Sequence, residues 1–323
     1  MFNQECYCAQ YKGPELAKST SGGVFFAFSK YVIEQGGAVY GAAFSDFPNL
    51  NHICAENIHD LAKIQGSKYL ESNFVHTFPE LKQRLEKNQL ILFGGTPCQV
   101  AALKSFLKID YPNLLTIDIL CHGTPSKKLF SKYIAWREKK WNTRILNFEF
   151  RSKRAHIWSS EQKALISTDM GEKIIPAVRD PYFFAFQKGL IAQTRCYSCK
   201  YASPNRVGDI TAADFWGINT LRPNFPYENG ASCMLINTAK GNVFLEHVKK
   251  MLLLEKVPFE DARKYNPHFN HPLKFDPIQK KIYQALADNL DFAQIIHFIP
   301  YKSYLAYKKS CLKKWIKQLI NVV

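Results

Sequence analysis

QLILFGGTPC (residues 89–98) and LLTIDILCHG (residues 114–123) decide the fold. Each begins as a short continuous apolar run and ends in turn residues, the pattern of a strand buried on both faces. Between them, Pro97 to Leu107 reads as a helix, with proline in the first turn, where its missing N–H removes no hydrogen bond. A second helix, about Ser126 to Lys140, follows. Strand, helix, strand, helix makes the two strands parallel neighbours, so the fold class is α/β, mixed with other elements.

Upstream, the first dozen residues read as irregular. Ser19-Thr-Ser-Gly-Gly23 opens a helix over Val24 to Ile33, and Ala38 to Phe44 reads as a buried strand. Asn57 caps a short helix that stops at Gly66, and Thr77-Phe-Pro-Glu80 has capping-box spacing for a helix to about Lys87. Downstream of Trp141 the texture turns to strands, at 145–151, 163–167 and 173–178. A short aromatic helix spans Asp180 to Lys188, and Asp209 to Trp216 is extended. Ala231 to Asn237 is a strand, Gly241 to Leu254 a helix, Val257 to Leu273 irregular, and helices lie at about 276–288 and 303–321. The division expected is 1–90 and 91–275, together forming one cofactor-binding unit, then a basic helical tail over 276–323.

At 46% hydrophobic and 14% aromatic residues, the chain is globular rather than disordered. Its first residues hold no apolar signal-peptide core, and no run reaches the roughly 18–20 apolar residues of a membrane span. The expected location is therefore cytoplasmic. A net charge of +16 fits an acidic protein, a phosphorylated substrate, nucleic acid or an anionic membrane surface, and charge alone does not choose.

Nine cysteines at irregular spacing, in a reducing compartment, point to metal or redox chemistry rather than disulfides. Cys196-Tyr-Ser-Cys199 alone fits half a zinc site, a redox dithiol or half an iron–sulfur site. Cys98 and Cys121 follow the carboxyl ends of the two parallel strands, the edge where open α/β sheets place their sites. Spacing leaves ligand and core roles for these two evenly balanced. Cys54, Cys233 and Cys311 read as core residues, and Cys6 and Cys8 as non-ligands.

Three turns offer places for a phosphorylated cofactor. Ser21-Gly22-Gly23 opens a helix, where free amides and absent side chains admit a phosphate. Gly94-Gly-Thr-Pro97 shares that chemistry, and Gly66-Ser-Lys-Tyr69 adds a cation and an aromatic face. Each also reads as an ordinary cap or turn.

Together these motifs resemble the beta subunits of coenzyme F420 hydrogenases and dehydrogenases, and more closely their bacterial relatives from polysaccharide-synthesis gene clusters. The resemblance rests on Ser19-Thr-Ser-Gly-Gly23, Gly66-Ser-Lys-Tyr69, Gly95-Thr-Pro-Cys-Gln99, Cys121-His-Gly-Thr-Pro-Ser126, Cys196-x-x-Cys199-x-Tyr201, Arg206-x-Gly-Asp-Ile-Thr211 and Asp214-Phe-Trp-Gly217. It implies a mixed α/β flavin domain without a Rossmann GxGxxG, an FAD, and a 4Fe-4S cluster held by Cys98, Cys121, Cys196 and Cys199. It also implies flavin contacts from Ser21, Gly22, Gly23, Ser67, Lys68, Tyr69, Gly95, Thr96, Pro97, Gln99, His122 and Gly123. Lys68, His122 and Asp214 are the candidates for positioning substrate or moving a proton, against roles as a surface lysine, a turn histidine and a structural aspartate. Thr20 and Ala212-Ala213 depart from the family's usual residues. Only Cys6 and Cys8 stand where many relatives carry a ferredoxin-like domain, so electrons are expected from a separate acidic ferredoxin or flavodoxin-like carrier.

Tyr304, Leu305, Tyr307, Leu312, Trp315, Ile316, Leu319 and Ile320 fall at helical spacing among lysines. Such a helix either docks on its own protein or lies peripherally on a membrane. The expectation is an iron–sulfur flavoprotein oxidoreductase acting on a small molecule, in the setting of polysaccharide biosynthesis. Its competitors are a non-catalytic electron-transfer subunit and a structural-zinc nucleic-acid-binding protein. The sequence carries no nucleic-acid motif, so nucleic acid is not an expected partner.

Overall fold

The computed structural model describes residues 3–155, 158 and 161–300. The helix expected over 303–321 lies outside the described residues. Among the described residues, eleven strands form two sheets. They are β1 (Glu5–Tyr11), β2 (Ala38–Asp46), β3 (Asn49–Ala55), β4 (Ile91–Gly95), β5 (Leu114–Ile119), β6 (Ile145–Glu149), β7 (Lys163–Thr168), β8 (Gly171–Pro176), β9 (Ile210–Asp214), β10 (Ser232–Ile236) and β11 (Leu252–Lys256). The large sheet has the order β11-β1-β10-β9-β5-β4-β2-β3, and β6-β7-β8 make the small one.

Strands β2, β4, β5 and β9 are parallel. As expected of buried parallel strands, β4 is buried throughout and β5 along all but its last residue. The helix Pro97–Leu107 joins them, with Pro97 in its first turn. Because β2 pairs with β4, the sheet runs unbroken across residue 90.

Several expectations need correction. The opening residues are not irregular: ECYCAQY is β1, held between β10 and β11. Cys6 and Cys8 face one core and Ala9 and Tyr11 another, so the C-x-C spacing is the two-residue period of a strand. The helix starting near Gly241 ends at Val248, and Leu252–Lys256 pairs with β1. A short helix, Phe259–Lys264, interrupts the segment expected to be irregular. Thr77 does not build a capping box, because its hydroxyl donates to the Phe74 carbonyl at 2.7 Å.

The helices Val24–Glu34 and Ala239–Val248 cover one face of the large sheet. The helices Phe78–Glu86 and Pro97–Leu107 cover the other face beside β2 and β4. A separate aromatic core joins the small sheet to the helices Lys127–Trp141, Pro181–Gln187 and Pro277–Ala287. There Asp180 accepts from Tyr133 and Arg137, each at 2.5 Å, and caps the helix Pro181–Gln187 through the Phe183 amide at 2.8 Å. Among the described residues, no helix is long and apolar enough to cross a membrane.

Candidate redox site

Strands β4, β5 and β9 end together, with Gly95 opposite Asp118 and Asp118 opposite Thr211. Their carboxyl ends deliver Cys98, Cys121 and Asp214 to one edge. Strand β10 starts at that edge, with Ser232 opposite Asp214. The end of β1 reaches it too, where the Tyr11 amide donates to the Gly22 carbonyl at 2.7 Å. Four motifs widely separated in sequence thereby meet where parallel α/β sheets bind ligands.

Thr96 caps the helix Pro97–Leu107 in a reciprocal capping box with Gln99. The box sets Cys98 in the first turn, its thiol 3.1 Å from the Thr96 hydroxyl. Cys121 follows β5. At Gly123, with φ +82°, an added Cβ would stand 2.9 Å from the Ala192 Cβ and 3.3 Å from the Cys196 Cβ. Glycine here lets the cysteine loop dock against the end of β5, and Gln193 N–H to Thr124 O (3.0 Å) holds the contact. Past Cys199, the Arg206 guanidinium donates to the carbonyls of Tyr201 (2.9 Å) and Ser203 (3.3 Å) while paired with Asp118 at 2.6 Å.

The four thiols are free and influence one another. Burial pushes Cys121 up, and the nearness of Cys98, Cys196 and Cys199 adds to the rise. Burial also raises Cys196, against hydrogen bonds from Thr124. Cys98 is the exposed member of the group. Among the described residues, no three Cys, His, Asp or Glu side chains gather as the ligands of one ion do.

Beyond the thiols lies a group of polar side chains around His122 and Asp214. His122 is solvent-exposed, yet surrounding protein and neighbouring His268 hold its pKa down to about 4. The two imidazole rings are 4.4 Å apart. Asp214 takes both arms of Arg151, at 2.5 and 3.0 Å, and the Trp158 indole N–H at 3.2 Å. Burial works against its ionisation, but Arg151 outweighs burial and holds the carboxyl below its usual range. Asp214 thus orients Arg151 as a fixed, ionised partner. Arg151 also donates to the Tyr69 hydroxyl at 3.3 Å, and Trp158 stacks on Trp216 at 5.0 Å.

Two ammonium groups in this region donate to carbonyls rather than carboxylates. Lys68 donates to Gln65 O (2.6 Å) and Lys63 O (3.1 Å); Lys153 donates to Ser21 O (2.6 Å) and Leu16 O (3.0 Å). Burial lowers both pKa values to about 7. Ser67 and Tyr69 adjoin them, the Ser67 amide donating to the Thr20 hydroxyl at 2.7 Å. Ser21 donates to Ala231 O at 2.8 Å. The Gly22 amide is used by Ser232 (2.9 Å), and a Cβ there would lie 2.2 Å from Ala9 O. Gly22 therefore serves sheet packing and offers no free amide to a phosphate, while Gly23 caps the helix at φ 77°.

Gln99 is buried, its side-chain oxygen accepting from Thr96 N–H at 2.9 Å and its amide donating to Ser72 at 2.8 Å. Ser72 is 3.0 Å from His52 Nδ1, and His52 Nε2 is 3.0 Å from Gly94 O. Burial lowers the His52 pKa from 6.5 to about 4. The unfolded chain binds this proton more readily, so His52 costs no stability above pH 6.5 and progressively more as pH falls toward 4. Denaturant unfolding between about pH 7.5 and 4.5 is expected to show roughly 2–3 kcal/mol of loss from this residue. His52→Gln removes that part of the pH dependence.

Arg151, Lys153, Trp158, Trp216, His268, Ser72 and His52 escaped the sequence reading as site residues. Arg151 and Lys153 sit in the basic run Arg151-Ser-Lys-Arg154, whose charge alone does not choose between a solvated surface and a binding role. Trp216, within the quoted Asp214-Phe-Trp-Gly217, was the available signal for the stacked pair.

Residues 88–262 match the family model for the C terminus of the coenzyme F420 hydrogenase/dehydrogenase beta subunit. The chain belongs to this beta-subunit family. No curated protein matches it. Its fold is similar to a chain of the xenon-derivatised F420-reducing NiFe hydrogenase complex from Methanosarcina barkeri, at TM-score 0.54 and 18% identity. That match covers 89% of this beta-subunit relative and 94% of the hydrogenase chain, and it bears on fold alone. The mixed sheet of the beta-subunit fold is thus the architecture expected from the motifs.

Proposed function

We propose that the chain is an iron–sulfur flavoprotein oxidoreductase that passes electrons between an external carrier and a small-molecule substrate. The observation that carries this is the meeting of Cys98, Cys121, Cys196 and Cys199 from three segments at one sheet edge. A thiolate-only donor set suits an iron–sulfur cluster. A single zinc ion draws sulfur ligands to about 2.3 Å from one centre, whereas a 4Fe-4S cluster takes each thiolate on a different iron. A four-thiolate set serves either, and the resemblance to the beta subunits supports the cluster.

The polar side chains beyond the thiols suit FAD for their own reasons. Lys68 and Lys153 have lost much of their hydration and donate to carbonyls, with Glu149 and Asp214 acting on them only at longer range, so a diphosphate would supply a direct anionic contact. Tyr69 and the Trp158–Trp216 pair offer aromatic surface, and Arg151 is held in place by Asp214. When bound, the cluster supplies one-electron steps and the flavin two-electron chemistry. His122 and His268, with rings 4.4 Å apart, would then hold or pass a proton as neutral imidazoles. The +16 charge supports an acidic ferredoxin or flavodoxin-like partner. The resemblance to polysaccharide-locus relatives supports a nucleotide sugar or lipid-linked glycan as substrate.

FAD titration tests the flavin reading. Lys68→Gln and Lys153→Gln are each expected to weaken binding by about tenfold, the worth of one charge-assisted contact. Unchanged affinity in both variants, or no FAD binding by the wild type, contradicts the proposal.

A further inference from the structure

The buried relay from His52 to Thr96 has a direction fixed by its ends. Gly94 O can only accept, so His52 carries its proton on Nε2. Its Nδ1 then accepts from the Ser72 hydroxyl, and Ser72 accepts from the Gln99 amide. Thr96 N–H can only donate, so Gln99 Oε1 faces it. One proton arrangement satisfies every member.

The relay starts and ends on the same turn, at Gly94 and Thr96, and so closes a ring around GGTPC two residues before Cys98. Its members are sealed in: His52 is 1%, Ser72 5% and Gln99 6% exposed. The His52 ring is wedged flat on Phe93, with centroids 5.2 Å apart. An apolar His52 replacement would leave Ser72 and Gly94 O with unsatisfied buried groups, which the turn would move to relieve. The Thr96 hydroxyl stands 3.1 Å from the Cys98 thiol, so motion of the turn reaches the sulfur.

Resting on the cluster reading above, we infer that His52 and Ser72 are positioning residues for Cys98: they lock the GGTPC turn and aim the Thr96 hydroxyl at the Cys98 sulfur. A hydrogen bond donated to a cluster thiolate stabilises the reduced, more negative state. Losing its alignment therefore lowers the reduction potential.

Wild type, His52→Phe, His52→Gln and Ser72→Ala are compared in two states. Without cofactor, hydrogen exchange at the Thr96 amide is expected to quicken about tenfold or more in His52→Phe and Ser72→Ala. Glutamine, which can both donate to Gly94 O and accept from Ser72, restores slow exchange. After anaerobic loading with iron and sulfide, His52→Phe and Ser72→Ala show a lower midpoint potential and a shifted EPR spectrum of the reduced cluster. His52→Gln stays near wild type. Ser72→Ala carries the test if His52→Phe does not fold. Unchanged Thr96 exchange, or full iron content with unchanged potential and EPR while thermal stability falls, overturns the positioning role. Failure of the wild type to take up iron overturns the cluster reading and this inference with it, whatever the exchange shows.

Discussion

Arg206→Ala lowers the unfolding free energy by about 3–5 kcal/mol, the range for removing one partner of a buried ion pair. Side-chain exposure is 1% for Arg206 and 0% for Asp118, so alanine leaves a carboxylate buried with its counter-charge gone. The remaining Gly208 N–H, 2.8 Å from Asp118, is a weak replacement for a guanidinium. Arg206→Lys keeps the charge but loses the planar fork that also holds the Tyr201 and Ser203 carbonyls, so it recovers only part of the loss. Urea unfolding measures the effect, and a change under about 1 kcal/mol would show the pair to be dispensable. The same substitution frees the chain just beyond Cys199. Proteolysis around residues 196–206 should therefore quicken before global unfolding does.

Cys98→Ala, Cys121→Ala, Cys196→Ala and Cys199→Ala are each expected to abolish a stable four-iron cluster, visible as lost absorbance and lost iron. Cys6→Ala and Cys233→Ala serve as contrasts. Their sulfurs touch at 3.8 Å in a buried core that includes none of the four ligand cysteines. These two variants are expected to lose stability through cavity formation while keeping iron. Iron retained in all four ligand variants would remove the site from this edge of the sheet.

The parallel pair β4 and β5 was legible because continuous apolar runs ending in glycine and cysteine turns have few other readings. The four-cysteine set came from the family resemblance, and two strands ending side by side bring Cys98 and Cys121 to one edge. Strand β1 was hidden because it is a short segment between glutamate and glycine, whose partners β10 and β11 lie more than 200 residues away. Separation along the chain also hid the pairing of Arg151 with Asp214, 63 residues apart and joined only by the fold. Local pattern also misled at Thr77, where the right residues at the right spacing lost the cap to the nearer Phe74 carbonyl. Gly22 read as part of a phosphate turn and Gly123 as a flavin contact implied by the resemblance. In the structure each admits neighbouring protein, the end of β1 and the Cys196 loop, and glycine alone does not tell a ligand's approach from a backbone's.

Iron, acid-labile sulfide and flavin content of the wild-type chain, purified without oxygen, tests the central claim most directly. The account predicts about four irons and four sulfides per chain, as the 4Fe-4S assignment requires, together with FAD released on denaturation. One zinc per chain, with neither sulfide nor flavin, would contradict it.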